Sequence, residues 1–449
     1  MQSKSLLKQS LKNPLVHGTI VLTAVGLFTR VMGFLFRMFL SAVIGEEGMG
    51  IYHLALPVTG ICMSVAAMSI QTALSRLIAA FSTMKQCQDV FLLRVSLILS
   101  LSLAGLFLLI LYPASRWICE HILHEPRCLD LLRMLLLSLP FSCIHSCFCG
   151  YYYGTNQTRH PAFSQLTEQS ARMGSIFLIW FVRTGQNQPM SLTDIAAGSV
   201  ISEMAACLYL GICYGWERQK PDSQILSYGQ ILRQLASTAL PLGTNRLCMT
   251  LLQTVESILI PIQLRTYGLD HAGSLSMFGV LTGMALPFIM FPSTLTHSAS
   301  VLLTPKIASD SASGSHEQIK KATDAAISLC LWMGIFCFLF FFLAGPTLGL
   351  LFFQSALAGT YIRMLSWICP FLYLSITAAG ILNGMGKMTV VFIHSLIAIL
   401  LRTASVFFLV PRIGMNGYLA GLLTSQLVLC LLHLYEIRRT QKGAADFRH

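Results

Sequence analysis

Long apolar runs separated by short polar stretches dominate the chain. The first, Gly18 to Ile44, is apolar for more than 20 residues and is interrupted chiefly by Arg30 and Arg37. About 20 consecutive apolar residues cross the hydrocarbon core of a bilayer as a helix. By that measure the pattern predicts twelve spans, near 17–44, 50–80, 91–112, 131–153, 163–183, 194–215, 231–261, 274–304, 324–346, 359–383, 388–410 and 416–436. The connections are short, and none is long enough for a separate soluble domain. The expected fold class is an all-α polytopic membrane protein.

Composition supports this. The chain is 55% hydrophobic and 11% charged, with mean hydropathy +0.68, whereas soluble domains carry about 25% charged residues. The fourteen cysteines lie mainly in apolar stretches without zinc-type spacing. Cys143 and Cys147 share a helical face but lack a second ligand pair, so buried thiols are expected and no metal site. Lys4, Lys8 and Lys12 lead into a run longer than a signal-peptide core, and no cleavable signal is expected.

Lysines and arginines are unevenly placed. One side of the predicted topology holds Lys4, Lys8, Lys12, Arg76, Lys85, Arg94, Arg159, Arg218, Lys220, Arg233, Lys306, Lys320, Lys321, Lys387, Arg438, Arg439, Lys442 and Arg448. The other holds Arg116, Arg127, Arg133, Arg183, Arg265, Arg363 and Arg412. The positive-inside rule then places both termini in the cytoplasm, as for a plasma-membrane protein. The net charge of +12 follows from topology, and nucleic acid is not an expected partner.

An internal repeat organises the spans. Arg133-Met-Leu-Leu-Leu-Ser-Leu-Pro140-Phe recurs as Arg363-Met-Leu-Ser-Trp-Ile-Cys-Pro370-Phe. Gly150, Gly154 and Arg172 recur as Gly380, Gly384 and Arg402, and Ala55-Leu-Pro57 as Ala285-Leu-Pro287, all at an offset of 230. In the last span of each half, Gly198, Ser202 and Cys207 match Gly421, Ser425 and Cys430 at 223. Agreement across several spans indicates two homologous six-helix lobes, 1–222 and 223–449. Six spans per half give both halves the same polarity, the parallel-repeat design of secondary transporters. Such a design places the substrate site between the halves near mid-bilayer and moves cargo by alternating access.

Charges inside the spans are the candidate chemistry, since each is costly in hydrocarbon. Arg30 and Arg37 are two helical turns apart on nearly one face. Arg30 lies too deep for easy snorkelling and is read as lining a water-filled cavity, against the alternative of pairing with a buried carboxylate. Arg37 is read evenly as a cavity residue or as snorkelling to the outer interface. Arg246 occupies span seven, the repeat mate of span one, and is expected to face the same cleft. Glu256, ten residues further on, is either a proton- or ion-coupling carboxylate or the counter-ion of Arg30. Glu203 and the Glu168/Arg172 pair are read as structural, the latter four apart in the favourable order. His145, His297 and His394 are read as satisfied hydrogen-bonding groups, the glycine pairs as helix-packing sites, and Pro57 and Pro287 as kinks. No nucleotide-binding loop, nucleophile elbow or zinc-protease motif is present, so neither an enzyme nor a cofactor is expected.

Gly18-Thr-Ile-Val-Leu-Thr, Thr29-Arg30-Val-Met-Gly33-Phe34, Gly45-Glu-Glu-Gly48-Met-Gly50-Ile-Tyr52 and Pro57 resemble the polysaccharide-exporter branch of the multidrug/oligosaccharidyl-lipid/polysaccharide (MOP) flippase superfamily. The nearest resemblance is to the stage V sporulation protein B family. Leu240-Pro241, Pro261, Gly268 and Ala285-Leu-Pro287 extend it across the chain. The resemblance implies a MATE-like pair of six-helix lobes opening as a V, moving a lipid-linked saccharide across the plasma membrane, with sporulation members linked to spore cortex. The related lipid II flippases share the pattern around Arg30, which implies a cavity arginine there. Their second arginine stands one residue before the position of Arg37, and their pair after the span-two proline would fall at Ile61 and Cys62.

The expected function is therefore a flippase or exporter of polyprenyl-pyrophosphate-linked saccharide, a polysaccharide or peptidoglycan precursor. Arg30, Arg246 and Arg37 would attract the pyrophosphate, and cell-wall synthesis proteins are candidate partners. One rival is a drug/cation antiporter of the same superfamily, for which Glu256 would be the key acid. Another is a non-transporting scaffold for cell-wall enzymes.

Overall fold

In hydrocarbon a backbone amide has no partner but the chain itself, so long apolar runs fold as helices. A computed structural model describes residues 14–83, 89–216, 227–312 and 315–446, and every regular element among them is helical. The helices are α1 (Pro14–Met63), α2 (Ser69–Thr83), α3 (Asp89–Trp117), α4 (Leu129–Leu137), α5 (Leu139–Gly154), α6 (Arg159–Gly185), α7 (Leu192–Trp216) and α8 (Tyr228–Tyr267). They continue as α9 (His271–Gly279), α10 (Leu286–Met290), α11 (Ser293–Ala312), α12 (His316–Phe353), α13 (Ala356–Leu365), α14 (Cys369–Gly384), α15 (Met388–Phe408), α16 (Val410–Ile413) and α17 (Met415–Asp446). Wider π-turns at Ser64–Met68 and Val280–Ala285 interrupt the spans that carry Pro57 and Pro287. Lys4, Lys8, Lys12, Lys85, Arg218, Lys220 and Arg448, used above for orientation, lie outside the described residues, as does the side chain of Lys442.

Ten described stretches are long and apolar enough to cross a membrane, short of the twelve spans expected. Two effects account for the difference. The first two spans join as one stretch, Leu22–Ser82, because only Gly45 breaks the helical geometry of α1, at φ 70°. Helix α6 is absent from the ten, since Gln165, Glu168, Gln169 and Arg172 dilute its apolar character.

The described residues form two compact units. The first runs to Phe36 and takes up again from Leu54 to Leu251; the second comprises Arg37–His53 and everything from Leu252. The sequence division at 222/223 falls within 217–226, outside the described residues. The chain thus changes unit inside α1 and inside α8, so these packing units differ in makeup from 1–222 and 223–449.

In the first unit, Ile231 and Leu235 of α8 are fully buried in a core with Ile70, Leu74 and Ile78 of α2, Leu92 of α3, Tyr152 of α5 and Leu210 of α7. The expected role of the paired glycines holds here. A Cβ on Gly150 would stand 2.7 Å from the Gln71 carbonyl oxygen, and one on Gly154 would stand 2.7 Å from Cβ of Ile78. In the second unit, a Cβ on Gly384 would stand 2.8 Å from the Thr304 carbonyl oxygen. All thirteen described cysteines are free, and most are buried.

The segment after Gly45 joins the second unit by close backbone approach. A Cβ on Gly50 would stand 2.1 Å from the carbonyl oxygen of Leu275, and one on Gly279 would stand 2.2 Å from that of Glu46. Glu46 accepts a 2.9 Å hydrogen bond from Ser276 and another from Ser355. Backbone cannot yield as a side chain end can, so overpacking here carries a cost of about 1–3 kcal/mol or more. Gly50→Ala is expected to lower the thermal midpoint of the purified protein in detergent. Gly26→Ala, at a site with open space around the glycine, is expected to leave it unchanged.

Candidate functional site

Arg30 and Arg246 fall in the first unit, Arg37 and Glu256 in the second. Arg30 lies on α1, next to exposed Leu27 and Phe28, and its own side chain is exposed. One turn further, a Cβ on Gly33 would stand 3.7 Å from Nε2 of Gln169 on α6. Arg246 is exposed on α8, its carbonyl accepting a 2.9 Å bond from the Thr250 hydroxyl. Arg37 is exposed on α1 and within electrostatic reach of Tyr52 and His53. Among the described residues none of the three arginines forms an ion pair. Each is a cation whose hydrogen-bonding fork remains available for an anionic ligand.

Glu256 is different. It is 3% exposed, and Nη2 of Arg402 donates to its Oε2 at 2.6 Å while the Tyr418 hydroxyl donates to Oε1 at 3.0 Å. Arg402 comes from α15 and Tyr418 from α17, two helices packed on one another. The reading of Glu256 as counter-ion of Arg30 is thereby corrected: its counter-ion is Arg402, in its own unit. A buried carboxylate is tolerated when a guanidinium and further donors satisfy it. The signal that could have found this partner was in the repeat, where Arg402 is the mate of Arg172. Arg172 has its acid, Glu168, one turn away on the same helix. Position 398, the mate of 168, is Ala398, so Arg402 takes an acid from another helix.

The first unit holds a second polar cluster, on α5, α6 and α7. Arg172 is bonded to Glu168 and reaches Gln169 at 3.5 Å. Nε2 of His145 lies 3.1 Å from the Ser164 hydroxyl, and its Nδ1 lies 3.4 Å from Glu203 Oε2. His145 is thus a hydrogen-bonded histidine, as expected, but one that also faces a carboxylate. In the second unit, His394 lies with its ring centroid 5.2 Å from that of His433.

Comparison with known proteins agrees with this architecture. The family model of polysaccharide biosynthesis proteins matches residues 15–296, and the MatE model matches residues 230–408. Stage V sporulation protein B of Bacillus subtilis (strain 168) is 27% identical over 437 residues, covering 94% of this chain and 83% of that protein. Sporulation protein YkvU of the same organism is 23% identical, covering 96% of each chain. Among solved structures, an inward-facing multidrug resistance MATE family transporter of the MOP superfamily superposes with TM-score 0.75 at 14% identity, over 95% of this chain and 99% of that one. A MOP superfamily transporter from Pyrococcus furiosus, described as having a binding pocket of reverse polarity, gives TM-score 0.68 at 15% identity, over 96% and 97%. At such identities the likeness concerns the fold.

Proposed function

The chain belongs to the family of polysaccharide biosynthesis proteins, and from that premise we propose that it is a flippase for a polyprenyl-pyrophosphate-linked saccharide in the plasma membrane, with both termini cytoplasmic. A multi-pass membrane transporter of MATE/MOP type is what family and fold establish; the cargo, the membrane and the orientation are the proposed part. The observation that carries the cargo is the set of exposed arginines in apolar helices, Arg30, Arg37 and Arg246, none of them in an ion pair among the described residues. A diphosphate head group offers charge-assisted, bidentate acceptors to such cations, and a low-dielectric surrounding strengthens the attraction. The two Bacillus relatives named for sporulation support a precursor of the spore cortex as the cargo.

The drug/cation antiporter reading needs an ionised acid free to bind a cation. Glu256, its leading candidate, has both carboxylate oxygens engaged by Arg402 and Tyr418, which favours the flippase. The test is reconstitution of the full chain in liposomes with lipid II and, separately, other polyprenyl-pyrophosphate-linked sugars. Head groups are expected to become protected from an enzyme added outside. Equal protection in protein-free liposomes for every lipid tried would overturn the reading.

A further inference from the structure

We propose that the cluster of His145, Glu203, Glu168 and Arg172 in the first unit is a proton-binding site that carries one exchangeable proton within the membrane. The inference starts from a charge count. Two carboxylates, Glu168 and Glu203, stand against one permanent cation, Arg172. Glu168 takes the guanidinium. Glu203 is left with His145, and Glu203 Oε2 is enclosed without a hydrogen-bond partner while lying 3.4 Å from Nδ1. The His145 and Glu203 side chains are 12% and 13% exposed. A carboxylate so enclosed is costly unless neutralised. One proton, held on Nδ1 or on Oε2 itself, brings the cluster to zero net charge. Ser164 orients the ring through Nε2, which aims Nδ1 at the acid.

Among the described residues no Lys or Arg forms an ion pair with Glu203, Arg30 of α1 included. Of the groups reaching the cluster from neighbouring positions, Cys143, Cys149 and Cys207 are thiols within electrostatic range, and Gln169 is neutral. On α4, Arg133 is turned to the Ser115 hydroxyl and the Tyr112 ring. Arg183 of α6 is held by Asp194 of α7 at 3.0 Å. Arg76 on α2 and Arg94 on α3 are exposed.

The repeat provides the control. At the offsets of 230 and 223, His145, Ser164, Glu168, Arg172 and Glu203 correspond to Ser375, His394, Ala398, Arg402 and Gln426. The second unit therefore keeps the arginine, exchanges the histidine and serine, and replaces both acids with uncharged residues. Its single imported acid, Glu256, balances Arg402 one to one. Of the two repeat-related clusters, the one in the first unit carries an acid in excess of its guanidinium, so the proton belongs there and not at Glu256.

An imidazole facing a carboxylate inside the membrane is an arrangement suited to holding and passing on a proton. Its use as the coupling ion rests on the flippase reading; the existence of the site does not. The decisive experiment is an infrared difference spectrum between acid and neutral pH on the full chain in lipid nanodiscs. Wild type is expected to show a titrating imidazole or carboxyl band that is lost in Glu203→Gln and retained in Glu256→Gln. Gln already stands at the corresponding position 426, so Glu203→Gln is expected to fold, and His145→Gln provides a second variant expected to lose the same band. No titrating band in wild type, or a band unchanged in both cluster variants, overturns the proposal. A titrating band together with failure of lipid II protection would remove the cargo and leave the proton site standing.

Discussion

Arg30→Ala is expected to reduce translocation of a polyprenyl-pyrophosphate-linked saccharide to background while the protein still accumulates in the membrane. The residue is an exposed guanidinium without an ion pair among the described residues, so its removal leaves no buried partner uncompensated and the helix intact. A lost charge-assisted hydrogen bond is worth about 1.5–3 kcal/mol, which is about tenfold to a hundredfold in affinity. Arg30→Lys retains the charge but not the bidentate fork, and an intermediate rate is expected. Head-group protection in liposomes, normalised to reconstituted protein, provides the measurement. Wild-type protection by Arg30→Ala would remove the residue from the mechanism. A smaller loss is expected for Arg37→Ala, because Arg37 falls one residue from the position of the corresponding arginine in the lipid II flippases.

Arg402→Met acts by a different route and is expected to be the most destabilising single change in the second unit. It strands Glu256, a 3%-exposed carboxylate, with only the Tyr418 hydroxyl as a donor. Breaking a buried pair by removing one partner costs about 3–5 kcal/mol. The double variant Arg402→Met with Glu256→Gln removes both charges, and is expected to recover most of that loss. The comparison is a double-mutant cycle on the thermal midpoint in detergent, in which contacting residues show non-additivity. Additive losses would mean that the two side chains do not act as a pair. The same experiment bears on the antiporter reading, since an acid serving as an ion ligand would affect transport more than stability.

Much of the fold was legible because its cause is local. Twenty apolar residues in a row make a membrane helix wherever they are placed, and the spans from Asp89 to Gln441 follow the hydropathy pattern closely. The exceptions are instructive. Span five, read from its apolar stretch, is diluted by Glu168 and Arg172, whose pairing with one another makes them tolerable. The connection between the first two spans reduces to Gly45, because glycine takes the positive φ that other residues resist.

Pairing was less legible than span placement. Arg30, Arg37, Arg246 and Glu256 were each visible as costly charges, yet nothing in linear spacing joined Glu256 to Arg402, 146 residues later. Likewise, Glu203 reads in sequence as a structural acid and His145 as a satisfied hydrogen-bonding group, and only their approach to 3.4 Å makes a joint charge count meaningful. Sequence by itself determined the helices, the repeat and the inventory of intramembrane charges, since hydrophobicity and periodicity act over one or two turns. Tertiary structure alone decided which charges neutralise one another: Glu256 is taken by Arg402, Glu203 is left facing a histidine, and Arg30 has no acid paired to it among the described residues. Electrostatic energy depends on distance in space, and distance between helices is set by packing.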